Sequence, residues 1–206
     1  MATTTPNYGW PVPTSADYVA QGAVAIEALG DAIDTTVFGL PSGALALINT
    51  TTFSAVTAVQ VDDCFTSTYD NYLVLLQIPT VSTTNITIRC RLVDTVTPYA
   101  GADYEYYAAG VLDSGATSNL AAYSQTSFQF TSNNSATSSA LTLNLFSPKL
   151  AATTNATFNS MSRSSAWSFS YAGAGGLRTS TAYEGIQFYP SSGNFTGTLS
   201  IYGYGK

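Results

Sequence analysis

Apolar and polar residues alternate with a period of two along most of the chain after residue 43. The alternation is clearest in Ile86–Leu92, where Thr87, Arg89 and Arg91 separate the apolar residues, and it recurs in Leu141–Leu145. Such a pattern is typical of β-strands that bury one face. About ten short strands, separated by segments rich in Gly, Asn, Ser and Pro, predict a mainly β chain that folds as a β-sandwich or jelly roll.

The predicted strands are short and closely spaced. They are Ala44–Thr50, Phe53–Val61, Asn71–Ile78, Asn85–Val93, Glu105–Val111, Ser124–Thr131, Ala140–Phe146, Ala156–Ser160, Ala166–Tyr171, Glu184–Tyr189 and Thr196–Tyr202. Because Leu73–Ile78 is nearly continuous in apolar residues, we expect a central strand covered on both faces there. The glycine-rich Ala172–Gly176 lacks the lysine and the following helix of a phosphate-binding loop, so we interpret it as a turn.

A helical period precedes the strands, and Thr14–Val37 is the one convincing helix, with Thr14 or Ser15 as its N-cap. Glycines within it weaken the helix, which is marginally stable alone and must pack against another surface. That surface is either the β-domain of the same chain or further copies of the helix. We favour association between copies through an apolar stripe with heptad-like spacing, formed by Val19, Ile26, Leu29 and Ile33.

Residues 1 to about 14 form an extended arm, because its prolines fix the backbone and disfavour helix before them. Its large aromatic side chains either fold back on their own domain or dock to a partner or a neighbouring copy. We favour docking, through Tyr8, Trp10, Pro11 and Pro13. Glycines and a proline end the helix, which predicts an N-terminal unit of residues 1–43 and a β-domain of residues 44–206.

Charge is scarce, and this excludes several classes of function. Only 9% of residues are charged, against roughly 25% in ordinary domains. The net charge of −6 and the six basic residues do not provide a nucleic-acid-binding surface. The chain contains no histidine, which excludes histidine-based triads and histidine metal sites. No run approaches the roughly 20 apolar residues of a membrane span, so we expect no membrane insertion.

The remaining chemistry does not predict an enzyme. Asp103 and Glu105 are a spaced carboxylate pair of the kind that glycosidases use, but acids this close on a loop are far more often surface groups. Adjacent Asp62 and Asp63 lack the pattern of a calcium-binding loop and fit a solvated turn. No Gly-x-Ser-x-Gly motif occurs. We therefore predict no catalytic residue, no cofactor and no metal.

Two further groups of residues each have two interpretations. Cys64 and Cys90 lie in apolar, strand-like segments, where we expect buried free thiols, with a bridge between neighbouring strands as the alternative. A dense cluster of tyrosines either forms a contact surface for a saccharide or protein receptor, or fills the core of the sandwich or a seam between subunits. These candidate receptor contacts are Tyr99, Tyr104, Tyr106 and Tyr107.

Both ends of the chain resemble structural proteins of tailed bacteriophages. The opening Asn7–Pro13, with its Tyr-Gly-x-Pro-x-Pro pattern, and the Ala-Ile-x-x-Leu helix in Ala25–Asp34 are similar to the N-termini of tail-associated and other virion proteins. The ending Phe195–Tyr204 is similar to the last strand of phage β-sandwich appendage domains. The resemblance implies a virion component, a trimer with an N-terminal attachment region and a displayed C-terminal β-domain. It transfers no catalytic residue.

The resulting expectation is a non-enzymatic structural protein on the surface of a phage particle, assembled in the host cytoplasm and released by lysis. Its expected partners are two further copies of itself, other virion proteins, and a host-surface glycan or protein. We lean to a tail fibre or tail-tip protein that contacts the host. The alternatives are a capsid decoration or head-fibre protein and, in a different class, a carbohydrate-binding or carbohydrate-active module.

Overall fold

The computed structural model describes residues 3–12, 22–39, 45–83, 85–131, 138–163 and 168–205. The chain divides into two compact units, Met1–Ser42 and Gly43–Lys206. The first unit holds strands β1 (Thr3–Thr4) and β2 (Pro11–Val12) and helix α1 (Gly22–Gly39). The predicted helix start and the residues Pro13 and Val19 lie outside the described residues. No helix in the described part of the chain is long and apolar enough to cross a membrane.

The second unit, called the β-unit below, consists of strands joined by turns and short loops in the described residues. The strands are β3 (Leu45–Val56), β4 (Val59–Val61), β5 (Asn71–Val81), β6 (Ile88–Asp94), β7 (Thr97–Pro98), β8 (Tyr104–Leu112), β9 (Thr117–Gln125), β10 (Phe128–Gln129), β11 (Ser138–Phe146), β12 (Thr154–Arg163), β13 (Ser168–Leu177), β14 (Gly185–Pro190) and β15 (Phe195–Tyr204).

These strands form two antiparallel sheets. The larger has eight strands in the order β3-β15-β5-β11-β12-β13-β8-β9, and the smaller has five, in the order β10-β6-β14-β4 with β7 beside β6. The prediction of a mainly β chain, with a β-sandwich and one short helix, is confirmed.

The core lies between the inner faces of the two sheets, as period-two burial requires. In β15, every second residue from Phe195 onward is buried and the residues between them are half-buried. The ring of Phe130 lies 5.0 Å from that of Phe158 on the larger sheet and 6.2 Å from that of Phe188 on the smaller sheet. Aromatic packing of this kind joins the two layers.

Both cysteines belong to this apolar interior. Cys64 and Cys90 are buried and free, as expected from their apolar segments. Burial raises the pKa of the Cys64 thiol to about 12 and that of the Cys90 thiol well above its usual value. The thiols therefore remain protonated and pack as small apolar groups.

The predicted glycine-rich turn is wrong, because Ala172–Gly176 lies within strand β13. Its glycines are needed where β13 approaches β8 closely. A side-chain carbon at Gly173 would lie 2.5 Å from the Tyr107 carbonyl oxygen, and one at Gly175 would lie 2.4 Å from the Glu105 carbonyl oxygen. The absence of side chains at these glycines therefore permits β13 to pair with β8. The same glycines led to the wrong prediction of a turn.

The central strand β5 also differs from its prediction. It lies between β15 and β11, as expected of a central strand, but only one of its faces is buried. Val74 and Leu76 point into the core, whereas Leu75 lies on the outer face and is exposed. The smaller sheet covers the inner face, and among the described residues no second layer covers Leu75.

Strand β9 (Thr117–Gln125) was missed, because the sequence predicts a strand only from Ser124 onward. It is the edge strand of the larger sheet, and its side chains are exposed or half-buried. An edge strand with so little burial carries little apolar alternation. In contrast, the two strands predicted between residues 44 and 61 are mostly one long strand, β3, followed by the short β4.

Candidate functional site

The arm contains a small hairpin instead of being extended throughout, which corrects the prediction. Strands β1 and β2 pair with each other, and the Thr5 N–H donates to the Trp10 carbonyl oxygen at 2.9 Å. The Gly9 N–H donates to the Thr5 carbonyl oxygen at 3.0 Å, with Gly9 at a φ of +68° that glycine adopts without strain. Prolines disfavour helix here, but they leave these turn hydrogen bonds free to form.

The two aromatic residues of the arm have different surroundings. The Trp10 indole Nε1–H donates to the Thr36 hydroxyl of α1 at 2.9 Å, so Trp10 holds the arm against its own helix. Tyr8 stacks on Trp10 with ring centroids 5.1 Å apart and remains exposed. Pro11 lies in β2 and is half-buried. Of the predicted docking residues that the structure describes, Tyr8 therefore presents the most open surface.

Helix α1 carries an apolar stripe that the other described residues of its own unit leave exposed. Ile26 is 65% exposed, Val37 58% and Ile33 36%, while Leu29 is half-buried. Spacings of seven and four residues place Ile26, Ile33 and Val37 on one side of the helix. We call these three residues the helix stripe. Val37 was not among the residues predicted for the stripe, although its position four residues after Ile33 is the sequence signal that identifies it.

The four predicted receptor tyrosines do not form one surface, and the prediction is wrong for Tyr104 and Tyr106. Both are buried, because even-numbered residues of β8 point into the sandwich. The Tyr104 hydroxyl accepts from the Leu92 N–H at 3.0 Å and donates to the Tyr99 carbonyl oxygen at 3.1 Å. Its hydrogen-bonding capacity is therefore used inside the protein.

The other two tyrosines lie apart. Tyr107 is exposed on the outer face of the larger sheet. Tyr99 is half-buried in the loop before β8, where its hydroxyl donates to the Asp103 carboxylate. That hydrogen bond stabilises the neutral phenol and raises the pKa of Tyr99 to about 12. The Asp103 carboxylate also lies 4.0 Å from the Arg178 guanidinium. Its contacts with Tyr99 and Arg178 together hold this loop in place.

The outer face of the larger sheet is open and nearly uncharged. One row across it, defined by strand register, reads Thr50, Ser200, Leu75, Thr142, Asn159, Ala172, Ala109 and Asn119. The charged residues at outward positions of its described strands are Glu105 and Arg163. Hydroxyls and amides supply the polarity of this face, and ionic strength affects their hydrogen bonds little.

The described residues contain no group of three or more Cys, Asp or Glu side chains placed to hold a metal ion. The carboxylate pair identified in the sequence is divided between two environments. Asp103 belongs to the loop contact with Tyr99, while Glu105 lies on the outward side of β8, half-buried.

Comparison of the chain with protein-family models, with curated proteins and with solved structures finds no match. The features of the chain that bear on its function are therefore the resemblance of its two ends and the surfaces described above.

Proposed function

We propose that the chain is a non-enzymatic structural protein of a tailed-bacteriophage particle. Its first unit assembles copies and attaches them to the particle, and its β-unit is displayed on the surface. The observation that carries the proposal is the helix stripe, an apolar surface on a helix whose own unit holds no described part of the hydrophobic core.

The stripe needs a cover for energetic reasons. A helix of 18 residues with glycines at positions 22, 30 and 39 is marginal by itself. Burying an Ile or Val side chain fully stabilises a structure by about 1.5–3 kcal/mol, and three such residues lie together here. Copies of the same helix would supply a matching apolar surface, and Ile26 and Ile33 are one heptad apart.

The number of copies and the attachment follow from the resemblance. The resemblance to virion proteins with this type of N-terminus implies a homotrimer that is anchored by the arm. Exposed Tyr8, stacked on Trp10, offers broad apolar area to another virion protein at small entropic cost. The arm and α1 would thus act as one attachment unit.

The properties of the β-unit suit display on a particle. It contains its own hydrophobic core between the two sheets. Its largest face depends on uncharged polar groups, so dilution into high or low salt would change its stability little.

The composition of purified particles tests this function. In particles assembled from a genome that encodes this chain, quantitative mass spectrometry should detect the chain after density-gradient purification. A small multiple of three copies per particle would favour a tail fibre or tail-tip protein, and tens to hundreds would favour a decoration or head-fibre protein. Particles that lack the chain, made by cells that express it, would contradict the proposal.

A further inference from the structure

The outer face of the smaller sheet differs in chemistry from the rest of the surface. Strand register places Gln60, Gln187 and Arg91 side by side in one row across β4, β14 and β6. The neighbouring row contains Tyr189, Arg89 and Gln129, across β14, β6 and β10. We call these six residues the arginine face. All six are half-buried and point away from the core, while the residues between them in each strand are buried.

The two arginines hold positive charge that no described carboxylate neutralises. Neither takes part in the ion pairs between described side chains, which involve Lys149 and Arg178. The Arg89 Nε–H donates to the Thr87 hydroxyl at 3.2 Å, and the Arg91 Nε–H donates to the Thr126 carbonyl oxygen at 3.0 Å. A guanidinium carries five N–H donors, so each retains terminal donors for a ligand.

The aromatic and amide groups of the face are held in place. The Arg91 guanidinium lies over the Tyr189 ring, 5.0 Å from its centroid. The Gln187 amide donates to the Gln60 side-chain oxygen at 2.9 Å, and the Gln60 amide donates to Asp62 at 2.7 Å. The Asp62 carboxylate therefore lies beside Gln60, at the β4 edge of the face. The positive charge without a carboxylate partner lies on β6, where both arginines are.

Hydrogen bonds also fix the opposite end. The Gln129 amide donates to the Thr131 carbonyl oxygen at 3.1 Å, and its side-chain oxygen accepts from the Tyr106 hydroxyl at 3.4 Å. Tyr106 is thus a buried support behind the face instead of a direct contact. Side chains fixed on a sheet lose little entropy when a ligand binds.

We propose that the arginine face binds an acidic polysaccharide whose sugar rings carry carboxylates. Arg89 and Arg91 pair with carboxylates through charge-assisted hydrogen bonds, the geometry that a guanidinium fork matches best. The Tyr189 ring holds the Arg91 guanidinium in position from below, and the glutamine amides bond to sugar hydroxyls. In a chain of net charge −6, two guanidiniums that form no ion pair with a described carboxylate offer a local charge complement to an acidic ligand.

This site goes beyond the proposed structural role and does not depend on it. Binding is a property of the β-unit surface and is measured on the purified full chain, whether or not the chain belongs to a particle.

The test measures the affinity of the full chain for polygalacturonate by calorimetry, with neutral dextran as the comparison ligand. The wild-type chain should bind polygalacturonate and not dextran. Replacing both arginines by glutamine (R89Q/R91Q) should weaken binding at least about tenfold, because each charge-assisted hydrogen bond is worth more than a neutral one. Arg163→Gln removes the same kind of charge from the larger sheet and should leave the affinity unchanged.

A conservative variant separates geometry from charge and from any loss of folding. Arg91→Lys keeps the charge but lacks the planar fork, and it should bind several-fold more weakly while unfolding at the wild-type temperature. The proposal is overturned if polygalacturonate does not bind, if R89Q/R91Q binds as well as the wild type, or if Arg163→Gln weakens binding equally. Equal binding of inorganic polyphosphate and polygalacturonate would also overturn it, since sugar contacts would then contribute nothing.

Discussion

Replacing Phe130 by alanine should lower the free energy of unfolding of the β-unit by about 3–5 kcal/mol. The Phe130 ring is fully buried between the two sheets. Its centroid lies 5.0 Å from that of the Phe158 ring and 6.2 Å from that of the Phe188 ring. Its removal leaves a cavity whose walls belong to different sheets, and the strand pairing of each sheet limits how far they move to fill it. Urea denaturation of the full chain, monitored by the far-ultraviolet circular dichroism of its strands, measures the change in the free energy of unfolding.

The matched control for this prediction is Phe146→Ala, on the outer face of the same sandwich. Phe146 is 38% exposed, and its removal leaves a gap that water fills. We expect a loss of less than about 1 kcal/mol for this variant. Similar losses for the two variants would contradict the placement of the core between the two sheets.

Ile26→Asp should dissociate the assembled protein into single chains without unfolding the β-unit. Ile26 is exposed in the single chain, so the substitution does not disturb the fold of an isolated copy. In the assembly, each copy would bring an unpaired carboxylate into an apolar seam, at an effective cost of several kcal/mol for each buried charge. The carboxylates would also repel one another. Light scattering measures the mass, and urea denaturation reports the β-unit.

Val24→Asp is the matched control on the same helix. Val24 is 66% exposed, but it lies roughly 160° around the helix axis from Ile26. The same charge placed there should leave the assembled mass unchanged. If both variants keep the wild-type mass, or if both lose it, the helix stripe does not form the interface.

The sequence predicts those parts of the fold whose signal is local. Period-two alternation locates β6 and β15, because one face of each is buried and the other is polar or half-buried. It misplaces Ala172–Gly176, whose glycines respond to the close approach of β8, a strand more than 60 residues earlier in the chain. It also misses β9, an edge strand with little burial. The first error arises because pairing with a distant strand decides the structure of that segment, and the second because an edge strand with little burial carries little apolar alternation.

The candidate sites show the same division. Helical spacing identifies Ile26 and Ile33 as an apolar stripe from sequence alone, and both are exposed on one side of α1. Among the tyrosines, period two separates Tyr104 from Tyr107, but only the folded sandwich shows which of them faces the core. The arginine face depends on the register of several strands. The sequence shows Arg91 as an outward residue of β6 but does not show its position beside Gln187.

The mass of the purified chain in solution tests the central claim most directly. Multi-angle light scattering of the full chain should give three times the 21.6 kDa of one chain, and residues 43–206 alone should give a single copy. That pair of results would place assembly in the arm and helix. A dimer that dissociates on truncation would keep the helix interface and overturn the number of copies. A full-length monomer, or a trimer that survives removal of residues 1–42, would contradict assembly through the helix stripe.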